Sequence, residues 1–298
     1  MAKDDKKLYD LVDSSSPPQI LIEIKFVFAL IHPDFDPRRF ENAYSDIIRL
    51  FKGEYPGYRA SNTKYHNLEH TCSVALALVR LVHGLGVDGY HFTPRITELG
   101  AIAALFHDTG LIQTEDDMDG TGARYTVGHE ERSINFMKDY LAAEGFSAED
   151  IEECTQIIQC TILDLSLDEI SFNSDQIRTM GQVMGTADLI AQIADRSYLE
   201  KLPLLFMEFE EAGMEGFESP LELFKKTEAF YHSVARKRLT DEMGEVGKAA
   251  QSHFRERWGI DRDLYGEAMQ KNIEYAKKIE TDCPDSYDCL KRSLRRKV

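Results

Sequence analysis

The sequence predicts an all-α protein, a helical bundle. Three observations carry this. Apolar residues recur near every 3.6 positions through almost every segment, no run alternates long enough to make a strand, and short Gly- or Pro-containing stretches punctuate the periodic ones. Ser14-Ser15-Ser16-Pro17-Pro18 reads as a linker or helix start, and a first helix over 19–31 follows. Its apolar stretch Ile20–Ile31 is broken by Glu23 and Lys25, so it is amphipathic and not a membrane span. His32-Pro33 separates it from a helix over 37–52, and Gly53–Gly57 ends that one. A helix over 66–84 stops in the glycines of 84–89. The next, 94–107, contains Leu99–Phe106, apolar on all sides and therefore buried. Residues 108–128 are acidic, Gly-containing and the one long stretch without clear periodicity, a candidate rim or lid. Helices follow over 129–144 and 148–163, the latter behind a possible Ser147 N-cap with acids in its first turn. Further helices are expected over 175–197, 198–212, 219–239, 241–257 and 261–280, with Gly213–Gly216 as a separator. His253–Trp258 holds the single Trp and reads as packing.

Composition narrows the function. The chain has 298 residues, 43% hydrophobic and 29% charged, ordinary for a globular protein. A net charge of −17 argues against a nucleic-acid surface, because a polyanion needs a positive field. It leaves room for a small phosphate substrate, since a bound dication dominates its own site. Five cysteines without a Cys-x-x-Cys pair point to reduced thiols and the cytoplasm; Cys283 and Cys289 could pair but read as part of a solvated tail. Met1–Lys7 leads into no apolar stretch, so no signal peptide and no membrane partner are expected.

The chemistry lies in three segments. Tyr65-His66-Asn67-Leu68-Glu69-His70 sets two histidines four positions apart, which on a helix is about 40° of rotation and one turn. His107-Asp108 closes the buried helix. Adjacent residues on a helix diverge by about 100°, so both can meet one ion only where the helix ends, and Thr109-Gly110 supplies an end. Asp188 sits among Val183, Met184, Ala187, Leu189 and Ile190, and a carboxylate there needs a partner or a metal. Asp195, on nearly the same face, is expected to pair with Arg196, Lys201 or another base. Imidazole with carboxylate is a donor set suited to a divalent first-row metal.

These residues, in this order, resemble the ligand set of the HD superfamily of metal-dependent phosphohydrolases: a His, a His-Asp doublet and a distal Asp. The first segment resembles the opening motif of the class I cyclic-nucleotide phosphodiesterases. The match to that branch stops at Ser73, where the branch has Asp, and at Leu111, where it has His. The resemblance covers about residues 60–200, on the usual size of a domain. It implies an HD-like bundle: N-terminal helices in 1–60, a catalytic core in 61–200 and a C-terminal helical extension in 201–298. It implies one or two divalent ions (Mn, Mg, Fe, Ni or Zn) held by His70, His107, Asp108 and Asp188, with His129 on a second ion and Asp108 bridging. It gives His66 the role of general acid, which suits an imidazole near neutral pH. The implied reaction is hydrolysis of a phosphoester of a small, nucleotide-like substrate by a metal-activated hydroxide. Asn67, Lys64 and Arg124 could reach phosphate oxygens, but Asn67 also suits a cap and the two cations solvated charge; Glu130 and Glu131 suit a helix first turn. Two other readings share the ligand set: a di-iron oxygenase, and a non-catalytic metal- or nucleotide-sensing module.

Overall fold

The computed structural model describes residues 5–294 and Arg296, and all of its regular structure is helical. The most apolar helix, α3 (Leu68–Val87), becomes the hub. Every residue from Val74 to Gly84 on it is buried, and four helices pack on it: α1 (Pro17–Ile31), α4 (Pro94–Phe106), α7 (Asp175–Ile193) and α10 (Ala249–Trp258). By length and composition alone α3 could cross a membrane, yet 72% of its apolar window is buried against the other helices. Around this hub, α2 (Arg38–Phe51) and α6 (Ala148–Gln159) lie on α4, and α5 (His129–Ala143) lies on α6. The helices α8 (Tyr198–Glu211) and α9 (Pro220–Phe230) pair with each other, and α11 (Leu264–Asp282) joins them to α7.

Local chemistry sets most of the helix starts. Side chains of Asn67, Thr93, Ser147, Ser174, Ser219 and Asp263 accept first-turn amides of α3, α4, α6, α7, α9 and α11. At α6, Ser147 and Asp150 cap each other reciprocally. Pro94 and Pro220 sit at first positions where no amide is missed.

Helix ends depart further from expectation. The helix expected over 148–163 stops at Gln159. The reason is Arg238, buried at 4% exposure, whose guanidinium donates to the carbonyls of Cys160, Ile162, Leu163 and Leu165 and to the Glu242 carboxylate. Those carbonyls are satisfied off the helix, so the chain can leave it. Arg238→Met should destabilise the fold by about 3–5 kcal/mol, because the Cys160 carbonyl would stay buried without a donor and the part-buried carbonyls of Ile162, Leu163 and Leu165 would lose a charged one. A urea midpoint within error of the parent would refute this. Nor is 219–257 two regular helices. After α9 the chain makes two π-helical turns, Tyr231–Ala235 and Arg238–Glu242, then a 3-10 turn at Val246–Lys248 before α10.

The C-terminus corrects the reading of the cysteines. A short α12 (Tyr287–Ser293), not foreseen, folds back on α11, and Tyr275 donates to the Ser293 carbonyl at 2.8 Å. This return brings Cys283, which is buried, to a Cα separation of 5.5 Å from Cys289, and the two form a disulfide. Cys72, Cys154 and Cys160 are free and buried.

Candidate metal centre

The end of one helix and the start of another decide where the histidines go. Asn67 has extended backbone angles and its Oδ1 accepts the His70 amide at 3.0 Å, so α3 begins at Leu68. His66 therefore lies in the turn before the helix, not one turn along it as the four-residue spacing suggested. The Thr63 hydroxyl holds that turn by donating to the His66 carbonyl at 2.6 Å. The two rings are still neighbours, with centroids 6.2 Å apart. His107 is the C-cap of α4, and Asp108 opens the turn that follows. The helix stops between them, which lets both side chains face one point.

That point is also reached by α3 and α7. His70 Nε2 lies 3.1 Å from Asp188 Oδ1 and 3.6 Å from Asp108 Oδ2. His107 Nε2 lies 3.2 Å from Asp108 Oδ2 and 3.6 Å from Asp188 Oδ1. Donors bound to one ion at about 2.0–2.2 Å stand roughly 3–3.5 Å apart, and each of these four imidazole–carboxylate distances is close to that spacing. His70, His107 and Asp108 by themselves already meet the spacing of a metal site. Two of the four atoms, His107 Nε2 and Asp108 Oδ2, are buried with no hydrogen-bond partner among the described residues. Buried polar atoms are normally paired, and a cation would satisfy both at once. The set fits a divalent ion of the first transition row.

The surroundings prepare the ligands. His107 Nδ1 bonds the Ala104 carbonyl at 2.9 Å, which puts that ring's proton on Nδ1 and leaves the Nε2 lone pair free. Burial by itself would lower the His107 pKa, but Asp108 and Asp188 hold it well above the ordinary value. Burial would raise the two carboxylates, and the neighbouring imidazoles overcome it and lower both. The cluster thus takes positive charge in whatever form is supplied, and a metal competes with protons for it. His107 and Asp108 form the floor, with side chains 2% and 4% exposed, while Asp188 at 24% forms the open edge.

His129 stands on the other side of Asp108. Its Nε2 is 3.4 Å from Asp108 Oδ1, and its Nδ1 bonds the Thr126 carbonyl at 2.8 Å, repeating the arrangement at His107. Burial would lower its pKa, but the Asp108 carboxylate raises it to about 9. The position depends on Gly110. A Cβ there would come 2.1 Å from the His129 carbonyl oxygen, so only glycine lets this turn lie against the start of α5. The contact is fixed from α5, where Ser133 accepts the Gly110 amide at 2.8 Å and Arg132 donates to its carbonyl at 2.7 Å. The two oxygens of Asp108 thus face different histidines. If they bridge two ions, His129→Ala should bind one equivalent of Mn²⁺ where the parent binds two, and a stoichiometry of one in both proteins would reject the second site.

One residue of the site gives no sign in the sequence. Glu208, on α8 and 4% exposed, accepts the amides of Lys64 and Tyr65 at 2.8 and 2.7 Å through Oε1, and its Oε2 lies 2.7 Å from His66 Nδ1. Its carboxylate orients the His66 ring through Nδ1 and leaves Nε2 free of it. Glu208 is one of several acids on that helix, all compatible with a solvated face. The His66 ring centroid is 5.9 Å from that of His129.

The remaining candidates lie outside the cluster. Asn67 caps α3. Lys64 is exposed, and Arg124 pairs with Asp117 at 3.3 Å. Leu111 is buried, Glu131 is exposed, and Glu130 sits 3.4 Å from His129 Nδ1. Asp195 pairs with Lys201. The 108–128 stretch is a strapped rim. Tyr58 and Thr114 form an isolated antiparallel bridge, Asn62 accepts the Gly122 amide at 2.8 Å, and Glu211 takes both the amide and the hydroxyl of Thr121.

No curated protein matches the chain. Over residues 112–254, a little under half its length, it is similar to the family described as Npun_R2479-like, a span that takes in His129, Asp188 and Glu208 and begins just past His107 and Asp108.

Proposed function

We propose that the protein is a metal-dependent phosphohydrolase acting on a phosphoester of a small, nucleotide-like substrate. The observation that carries the reading is the convergence of His70, His107, Asp108 and Asp188, with imidazole–carboxylate distances of 3.1–3.6 Å and two of the four atoms without a hydrogen-bond partner among the described residues. These four would hold one divalent ion, and His129 with the second oxygen of Asp108 another. When bound, such ions supply charge that acidifies a coordinated water and offsets the charge of phosphoryl oxygens. The protein's own part is positioning and proton transfer. Substrate would enter past Asp188, the most exposed of the four, and buried His107 and Asp108 would keep bulk water from the floor. His66 stands beside the ligands with Nδ1 held by Glu208. Its Nε2 can then carry the proton that a departing alkoxide oxygen requires.

A screen of phosphomonoesters and phosphodiesters with Mn²⁺, Mg²⁺, Ni²⁺ and Fe²⁺ tests the reading. Release of an alcohol or nucleoside product that depends on added metal is expected. Oxygen consumption by the iron-loaded protein without phosphoester cleavage would assign the cluster to oxidation instead. Tight metal binding without turnover of any ester would leave a sensing module.

A further inference from the structure

Away from the His-Asp cluster, α3 carries a charge that pairs with no carboxylate among the described residues. Arg80 lies ten residues beyond His70 and is 2% exposed. A guanidinium stays protonated wherever the fold survives, so burial does not remove its charge. Nη1 donates to the Tyr265 hydroxyl at 3.1 Å, and Nε and Nη2 have no partner among the described residues. The rings of Phe254 and Tyr265 lie 5.6 and 5.9 Å from the guanidinium carbon and give modest cation–π contact, but no acceptor. A buried charge left in that state is costly, and its ordinary remedy is an anion.

Arg80 forms part of the wall of a cavity of about 70 Å³ between α3, the end of α7, α11 and the segment before α1. The polar groups of that wall are mainly donors. Arg196 and Ser73 contribute to it, and Tyr265, which accepts from Arg80, keeps its own proton to give. The one carboxylate among the described residues of the wall, Asp195, is already engaged: Oδ1 accepts the Ser197 amide at 2.7 Å and Oδ2 holds the Lys201 ammonium. A single water needs roughly 10–15 Å³ measured in this way, so the space suits a few waters or one small anion and is too small for a nucleoside.

We propose that this cavity binds a free, phosphate-sized oxyanion, with Arg80 as the buried counter-charge and Arg196, Ser73 and Tyr265 as hydrogen-bond donors. The site is independent of the phosphohydrolase reading, and a test on chelator-treated protein keeps the two apart. Inorganic phosphate, titrated against chloride at constant ionic strength, should raise the melting temperature by a few degrees once it is about 100-fold above its Kd. Arg80→Met should abolish the rise. Tyr265→Phe, which keeps the ring, and Arg196→Ala, which gives up only the contact with the Tyr9 ring beside the lost charge, should each weaken the apparent affinity roughly 5- to 10-fold. Adenosine monophosphate should stabilise less than phosphate at equal concentration. No stabilisation of the parent by phosphate would overturn the proposal, and so would an equal rise in Arg80→Met. If Arg80→Met does not fold, unchanged affinity in both of the other variants overturns it. Tighter binding of the nucleotide than of phosphate would overturn the assignment to a free anion.

Discussion

Asp108→Ala should yield a folded protein that holds no metal and turns nothing over. Asp108 is the one side chain whose two oxygens serve both sides of the centre, Oδ2 toward His70 and His107 and Oδ1 toward His129. Removing a hydrogen-bonding partner of a ligand typically costs about 10–100-fold in metal affinity, and removal of a charged ligand shared by two ions should cost more. The side chain is small and already lacks a partner at Oδ2 among the described residues, so its loss breaks little that holds the fold. Elemental analysis and the far-ultraviolet circular dichroism spectrum together check this. Full metal occupancy in a folded Asp108→Ala protein would sink the assignment of the centre.

His66→Ala should keep its metal and lose rate. The ring is outside the four-atom cluster and is tied instead to Glu208. General acid catalysis is worth about 10²–10⁴-fold, so kcat for an alkyl phosphoester should fall within that range. The loss should shrink sharply for a nitrophenyl ester, whose leaving group hardly needs a proton. His70→Ala should instead lose metal and fail with every ester alike. Glu208→Gln separates position from chemistry. It should retain metal and lose less rate than His66→Ala, with the same dependence on leaving group. If His66→Ala is equally slow with good and poor leaving groups, or sheds its metal, His66 is a ligand or a positioning residue and not the acid.

The order of the helices was legible in the sequence because their apolar faces repeat at the helical period and their starts carry Ser, Thr, Asn, Asp or Pro. The doublet was legible for a different reason. Alone, two such side chains at a helix end also suit the macrodipole and a turn; the doublet stands out because His66, His70 and Asp188 accompany it and Thr109-Gly110 announces that the helix stops there. His66 was misplaced because a four-residue spacing is blind to a cap. Whether residue 66 is inside or outside the helix turns on Asn67 accepting the His70 amide, a choice between two backbone states of similar local energy.

The sequence by itself determined an all-helical chain and singled out the imidazoles and carboxylates that the fold gathers. Those are properties of period and residue type, which need no knowledge of which helix touches which. Only the tertiary structure decided the rest. It brought Asp188 to His70 across 118 positions of chain and Glu208 to His66 across 142. It let Gly110 admit the start of α5 close enough for His129 to face Asp108. It also left Arg80 buried at the wall of a small cavity, and joined Cys283 to Cys289. In each case the partner lies on a different helix, turn or segment of the chain. A contact of that kind is set by the packing of the helices on α3, and no local pattern of residues encodes it.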